Sequence, residues 1–322
     1  RGIPVTIWEA GTYPRHRVCG EFISGRGHGT LARLGLREKL LQAGAIPART
    51  AIFFSESAAS PVRELSEPAL SISRFVLDDL LAKEFRQLGG ELRESERWRG
   101  AEFAEGMMRA SGRRVQPAVN GWRWFGLKVH ARRVALKADL EMHLSSSGYL
   151  GMSRLTGGEV NICGLFRRPA RARDGLANWQ DILRGAEGSH RRERLREAEF
   201  DKSSFCSVAG LSLEPRRAAA FEDCCIGDAI TMIPPVTGNG MSMAFESAEM
   251  AIAPLAQYSE GKISWNEARQ TIAQNCDVTF ARRLAWAAIL QRLLFIAQLQ
   301  TASVLALPRW QWLWRLLVEK TR

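Results

Sequence analysis

The sequence predicts a mixed α/β (α+β) fold, and three stretches predict it. Residues 3–9 (IPVTIWE) form a short apolar run with β-branched members, closed by an acid and a small-residue turn, as a buried parallel strand would be. Residues 122–166 read as successive strands broken by Gly148, Gly157 and Gly158, which suits an antiparallel sheet. The last third returns to a strand at residues 224–227, a glycine-bearing turn and long helical stretches. A chain of 322 residues, 46% of them hydrophobic, can bury a core of that size.

Between these landmarks the elements follow in order. Thr30 is placed to cap a helix over residues 30–43, with Leu31, Leu34, Leu40 and Leu41 on one face and Gly44 after its end. Residues 51–54 and 70–73 alternate like strands, and residues 75–88 form an amphipathic helix stopped by Gly89 and Gly90. From Glu91 to Met108 the periodicity fades, so this region is expected to be shortened. Residues 167–196 are polar and read as a surface excursion with a helix. Residues 240–258 are helical, and further helices run to the end.

Charge and cysteine content exclude several function classes. The net charge of +11 invites a nucleic-acid partner, yet only seven of the basic residues are Lys and thirty-eight are Arg, and no RNP, zinc-finger or helix-turn-helix pattern accompanies them. No nucleic-acid partner is expected. The cysteines Cys19, Cys163, Cys206, Cys224, Cys225 and Cys276 form no CxxC pair and no zinc-ligand spacing, so no metal is expected and a reducing cytoplasm is the natural setting. The apolar stretch over residues 284–307 is interrupted by Gln291, Arg292, Gln298 and Gln300, which argues against a spanning helix. Residues 308–322 mix Trp with Arg, a composition suited to peripheral contact with the inner face of a membrane or to packing on the domain.

The chemistry-bearing stretch is residues 227–248. An apolar strand delivers Gly227 and Asp228; Pro234 and Pro235 fix the next turn; Gly238, Asn239, Gly240 and Met241 then open a helix. Proline rigidity and side-chain-free backbone at a helix N-terminus make a cradle for a flat anionic ligand. The run GD, then PPVTGNGMxxAxxSA, closely resembles the second FAD-binding motif of flavoproteins in the class of p-hydroxybenzoate hydroxylase and geranylgeranyl reductase. The resemblance implies that Asp228 bonds the ribityl or pyrophosphate region of FAD, while Gly238, Asn239 and Gly240 line the isoalloxazine.

Other segments extend the resemblance along nearly the whole chain. The strand ending in Glu9 fits the second strand of a Rossmann-like fold, whose acid accepts hydrogen bonds from the adenosine ribose. A GxGxxG loop is then expected upstream of Arg1, making this chain N-terminally truncated relative to the family. Residues 14–21 (PRHRVCGE) are similar to the family's PRxxxCGE segment, which implies that Arg17, Cys19 and Gly20 neighbour the cofactor. Cys19 is also a candidate nucleophile if Arg17 lowers its pKa, against the simpler reading of a small packed residue. Arg74, Leu77, Asp78 and Leu81 resemble the RxxLDxxL helix start, whose arginine faces the flavin, and residues 110–113 (ASGR) resemble the turn near the pyrophosphate. Trp122, Arg123 and Trp124 superficially resemble the WxWxIP box of flavin halogenases, but Gly126 and Leu127 replace Ile-Pro, and halogenase is rejected.

The resemblance therefore implies an interrupted Rossmann-like FAD-binding domain (residues 1–45, 70–115 and 216–258), an inserted antiparallel substrate domain (46–69 and 116–215) and C-terminal helices (259–322). It implies an enzyme carrying FAD, with NAD(P)H as electron donor, that acts on a hydrophobic small molecule such as an isoprenoid or polyketide-like ring. A reductase or dehydrogenase is the preferred reading, with a hydroxylating monooxygenase as the alternative. A non-catalytic protein of the same fold that binds a membrane surface is the third.

Overall fold

The computed structural model describes residues 2–100, 103–114, 121–171, 178–296, 300–301 and 304–305. The strands are β1 (Thr6–Glu9), β2 (Phe22–Ile23), β3 (Ile46–Phe54), β4 (Arg63–Ser71), β5 (Glu91–Glu94), β6 (Met108–Arg109), β7 (Trp122–Arg132), β8 (Leu140–Ser145), β9 (Gly148–Arg154), β10 (Val160–Pro169), β11 (Glu199–Ala209) and β12 (Cys224–Cys225). The helices are α1 (Arg26–Arg33), α2 (Arg37–Gln42), α3 (Arg74–Gln87), α4 (Trp179–Arg184), α5 (His190–Arg194), α6 (Gly240–Ser259) and α7 (Trp265–Leu294).

The central element is an eight-stranded sheet in the order β11-β7-β10-β9-β8-β3-β4-β2. Its ladders are antiparallel except for the parallel β3–β8 pair. Side chains alternate faces along each strand. Leu127 and Val129 of β7, Leu150 and Met152 of β9 and Ile162 of β10 point to one face, where Leu183 at α4 and Leu195 after α5 cover them. The residues between them face the opposite side and the cavity described below. Because the middle strands are covered on both faces, β8 and β9 are buried along most of their length.

Two parallel pairs, β1 with β5 and β12 with β6, stand apart from this sheet. The β1 strand is parallel as expected but not buried, since Ile3, Val5, Ile7 and Trp8 are all exposed. The faded region after Glu91 still supplies β5 and β6. The single helix expected over residues 30–43 is two helices. Gly35, at φ 68°, turns the chain between α1 and α2, and Thr30 lies inside α1, where its hydroxyl bonds Glu249. A left-handed residue cannot continue a right-handed helix, which is why the leucine periodicity alone misjudged this stretch.

The helical layer is built on α6 and α7. Ser264 and Glu267 form a reciprocal capping box at the start of α7. The guanidinium of Arg283 forms two hydrogen bonds, of 2.8 and 3.0 Å, with the carboxylate of Glu246 on α6, and both side chains are buried. Apolar residues of both helices pack on β12 and its following turn in one cluster that includes Ile226, Met243, Ile272, Phe280 and Leu284. No helix among the described residues is long and apolar enough to cross a membrane. Residues 308–322, the candidate membrane-contact segment, lie outside the described residues.

Candidate functional site

A cavity of about 350 Å³ lies between the eight-stranded sheet and the start of α6. Its size is that of a small-molecule site. One end is polar. Cys19 and Gly20 arrive on the loop before β2, Arg74 at the first turn of α3, Arg113 after β6, and Asp228 on the turn after β12. Pro235, Gly238, Gly240 and Met241 complete this end. The other end is apolar, walled by Phe53, Leu140, Met142, Leu144, Leu211, Leu290 and Leu294.

The loop that carries Cys19 and Gly20 is pinned by a buried polar cluster. Glu21, at φ 53° and fully buried, accepts from the backbone N–H of Arg74 at 2.9 Å. Its carboxylate also lies 3.2 Å from the Lys128 ammonium and 2.7 Å from His130 Nε2. Burial raises the pKa of Glu21, but the contacts from His130 and Lys128 outweigh it and hold the carboxyl below its ordinary range. Burial and then Lys128 push His16 down to about 4, so its neutral ring accepts from Lys128 at 3.0 Å. His16, Glu21 and His130 bring three ligand atoms within 4.8 Å of one another, as a metal site would. The Lys128 ammonium already contacts two of those residues, and it is the cation of this cluster. Asn161 and Ser153 donate to the carbonyls of Cys19 and Gly20 at 3.1 and 3.0 Å, fastening the loop to the sheet.

On the opposite wall, Gly238 adopts φ 65°, and a Cβ there would stand 3.3 Å from the Phe22 ring. Only glycine combines that backbone with that packing. Asn239 is buried and holds the turn by accepting from Ser24 at 2.7 Å. The α6 helix then begins without a side-chain cap and without an acid in its first turn, and its first residues Gly240 and Met241 line the cavity, which brings the positive end of its dipole there. Asp228 is partly buried, and among the described residues no donor reaches its carboxylate. Burial raises its pKa to about 6, against the opposing pull of Arg113 and Arg74.

The sequence-predicted residues divide accordingly. Cys19, Gly20, Arg74, Asp228, Pro235, Gly238, Gly240 and Met241 come together on the cavity wall, while Gly227 and Asn239 support it from behind. Glu9 and Arg17 do not line it. The Glu9 carboxylate is engaged by Arg15 at 2.7 Å, by the Gly11 amide at 2.9 Å and by the Tyr13 hydroxyl at 3.0 Å. Arg17 bridges Glu9 and Asp78 at 3.3 and 3.4 Å. Cys19 lines the wall, and burial, opposed by Arg74, raises its pKa and favours the thiol form. Sequence reasoning placed Arg113 only within a turn motif and Val236 only within the Pro-Pro motif, and did not single out Tyr149, Met232 or the α7 residues Leu290 and Leu294.

No protein-family model matches the chain, and no curated protein matches it. Solved structures of similar fold are found. The probable FAD-dependent monooxygenase PqsL from Pseudomonas aeruginosa matches at TM-score 0.67 and 14% identity, over 93% of this chain and 92% of that one. The halogenase PltM, in complex with phloroglucinol and FAD, matches at TM-score 0.70 and 14% identity, over 92% and 73%. A triple mutant of the flavin-dependent brominase Bmp2 matches at TM-score 0.70 and 16% identity, over 98% and 88%. The chain therefore has the fold of these FAD-dependent monooxygenases and halogenases.

Proposed function

We propose that this protein is an FAD-dependent oxidoreductase that hydroxylates a hydrophobic small molecule, with NAD(P)H as the source of electrons. The observation that carries this reading is a cavity whose polar end suits a flavin cofactor and whose other end is apolar. The fit at the polar end is chemical. An unengaged carboxylate at Asp228 suits the hydroxyls of a ribityl chain, the Arg113 guanidinium suits a diphosphate, and the uncapped N-terminus of α6 suits the electron-rich edge of a flavin. When bound, FAD supplies two-electron transfer and oxygen activation. The chain's own contribution would be to hold the cofactor at the wall that includes Gly20 and Gly238, to fasten the loop at Cys19 through Glu21, and to exclude water with the apolar wall.

The neighbours of this fold favour hydroxylation over the reductase or dehydrogenase reading preferred from sequence, because PqsL, PltM and Bmp2 are a probable monooxygenase and two halogenases. Halogenation is not adopted. Gly126 and Leu127 stand where the halogenase box has Ile-Pro, and Trp124, packed edge-on against Phe295 at 4.9 Å, does not line the cavity.

The test is an isotope experiment on the full-length protein loaded with FAD and given NADPH or NADH, a panel of uncharged polycyclic aromatics and ¹⁸O₂. Incorporation of one ¹⁸O atom into an organic product is expected. Hydride-reduced or desaturated products free of ¹⁸O would return the reading to a reductase or dehydrogenase.

A further inference from the structure

The charged side chains that line the cavity among the described residues are Arg74, Arg113 and Asp228, and they belong to its polar end: both arginines act on the ionisation of Asp228. The apolar half has no charged wall. Its polar exception is Tyr149, the second residue of β9, whose side chain faces the cavity and is 3% exposed. The phenol oxygen accepts a hydrogen bond from the backbone N–H of Val236 at 2.9 Å. A phenolic proton lies in the ring plane on one side of the C–O bond or the other. With the amide on one side, the proton turns to the other, and among the described residues no group accepts it. Burial raises the pKa of Tyr149 well above its ordinary value, so the group remains a neutral donor at all working pH values.

We propose that Tyr149 determines substrate specificity by donating its O–H to a carbonyl or hydroxyl oxygen of an uncharged, ring-bearing substrate in the apolar half of the cavity. This rests on the reading of the cavity as the catalytic pocket. A carboxylate-bearing substrate is disfavoured, because its charge would lose water and meet no cation at that end. A pure hydrocarbon is disfavoured less, since it leaves only the hydroxyl without an acceptor. Val236 belongs to the Pro-Pro turn that also forms the polar end, so one hydrogen bond links the cofactor-side wall to the group that positions the substrate.

The experiment is equilibrium dialysis of the full-length protein against 2-acetonaphthone, its carboxylate counterpart 2-naphthoate and its hydrocarbon counterpart 2-isopropylnaphthalene. Wild type and Tyr149→Phe are compared, with flavin absorbance recorded on the same samples. The ketone is expected to bind wild type at least about tenfold tighter than the carboxylate. Tyr149→Phe is expected to weaken the ketone about five- to tenfold, the worth of one hydrogen bond, and to leave the hydrocarbon and the flavin spectrum unchanged. Equal binding of ketone and carboxylate would overturn the proposal. So would unchanged ketone affinity in the variant, or a parallel loss of ketone and hydrocarbon, which marks a merely structural role. A shift in flavin absorbance without a change in ketone binding would assign the hydroxyl to the cofactor and overturn it too. Tyr149-dependent ketone binding by a protein that takes up no FAD would sustain this site and reject the functional reading. Bound flavin with no affinity for any probe would do the reverse.

Discussion

At the scale of single residues, Asp228 makes the most exposed claim. Its carboxyl has a pKa of about 6 in the fold against 3.8 in a free chain, because burial penalises the charged form. The native state therefore binds the proton more tightly than the unfolded state. The sign follows: stability from this group is full below pH about 4, declines as pH rises toward 6, and stays lost above that. In flavin-free protein, the unfolding free energy of wild type minus that of Asp228→Asn should fall by on the order of 1–3 kcal/mol between pH 4 and 7. Urea titrations across that range measure it, and a pH-independent difference would contradict the assignment. Asp228 was legible in the sequence because the GD and PPVTGNGM runs together resemble a flavoprotein motif. Tyr149 was not legible, since its partner Val236 lies 87 residues away and nothing in GYLGM marks one aromatic residue as polar in purpose. Glu9 was legible as a strand-end acid, but the contacts of its carboxylate with Arg15, Tyr13 and Gly11 were not.

At the scale of elements, two buried ion pairs fix which surfaces meet. Glu21 and Lys128 join the cavity loop to β7, and Glu246 and Arg283 join α6 to α7. Removing one partner of a buried pair leaves an uncompensated charge, whereas replacing both with apolar groups can be nearly neutral. Arg283→Met is expected to cost about 3–5 kcal/mol, and the double variant Glu246→Leu with Arg283→Met to recover most of that loss. Chemical denaturation of the two single variants and the double variant closes this cycle; simple addition of the two single losses would contradict it. Element boundaries were readable where a local signal sets them. Ser264 and Glu267 cap α7, and Gly89 follows α3. They were misread where one glycine at φ 68° outweighs four leucines, as between α1 and α2. Neither ion pair could be read from sequence, because each joins residues far apart in the chain.

At the scale of the molecule, the sheet divides the work between its faces. One face is closed by α4, α5 and an all-apolar cluster, while the other carries the cavity and the Glu21 cluster. The strands of 122–166 were expected to form one antiparallel sheet, and they do. The sheet also takes β2 from the N-terminal segment, and a parallel β3–β8 contact ties residues 46–54 into it. Two-residue strands such as β2 leave no periodicity to read. The joining of a polar end and an apolar end in one cavity is likewise a property of the whole fold, assembled from seven or more separate segments, and only the polar end had a motif.

The central claim is that this polar end holds FAD. The most direct measurement is a titration of the flavin-free, full-length protein with FAD, followed by quenching of flavin fluorescence. Wild type and Gly238→Val, whose side chain would enter the Phe22 ring and the cavity wall, are compared. Saturable, stoichiometric quenching by wild type and at least about tenfold weaker binding by the variant, the equivalent of about 1.4 kcal/mol, are expected. No saturable binding by the folded wild-type protein, or equal binding by both, would contradict the account.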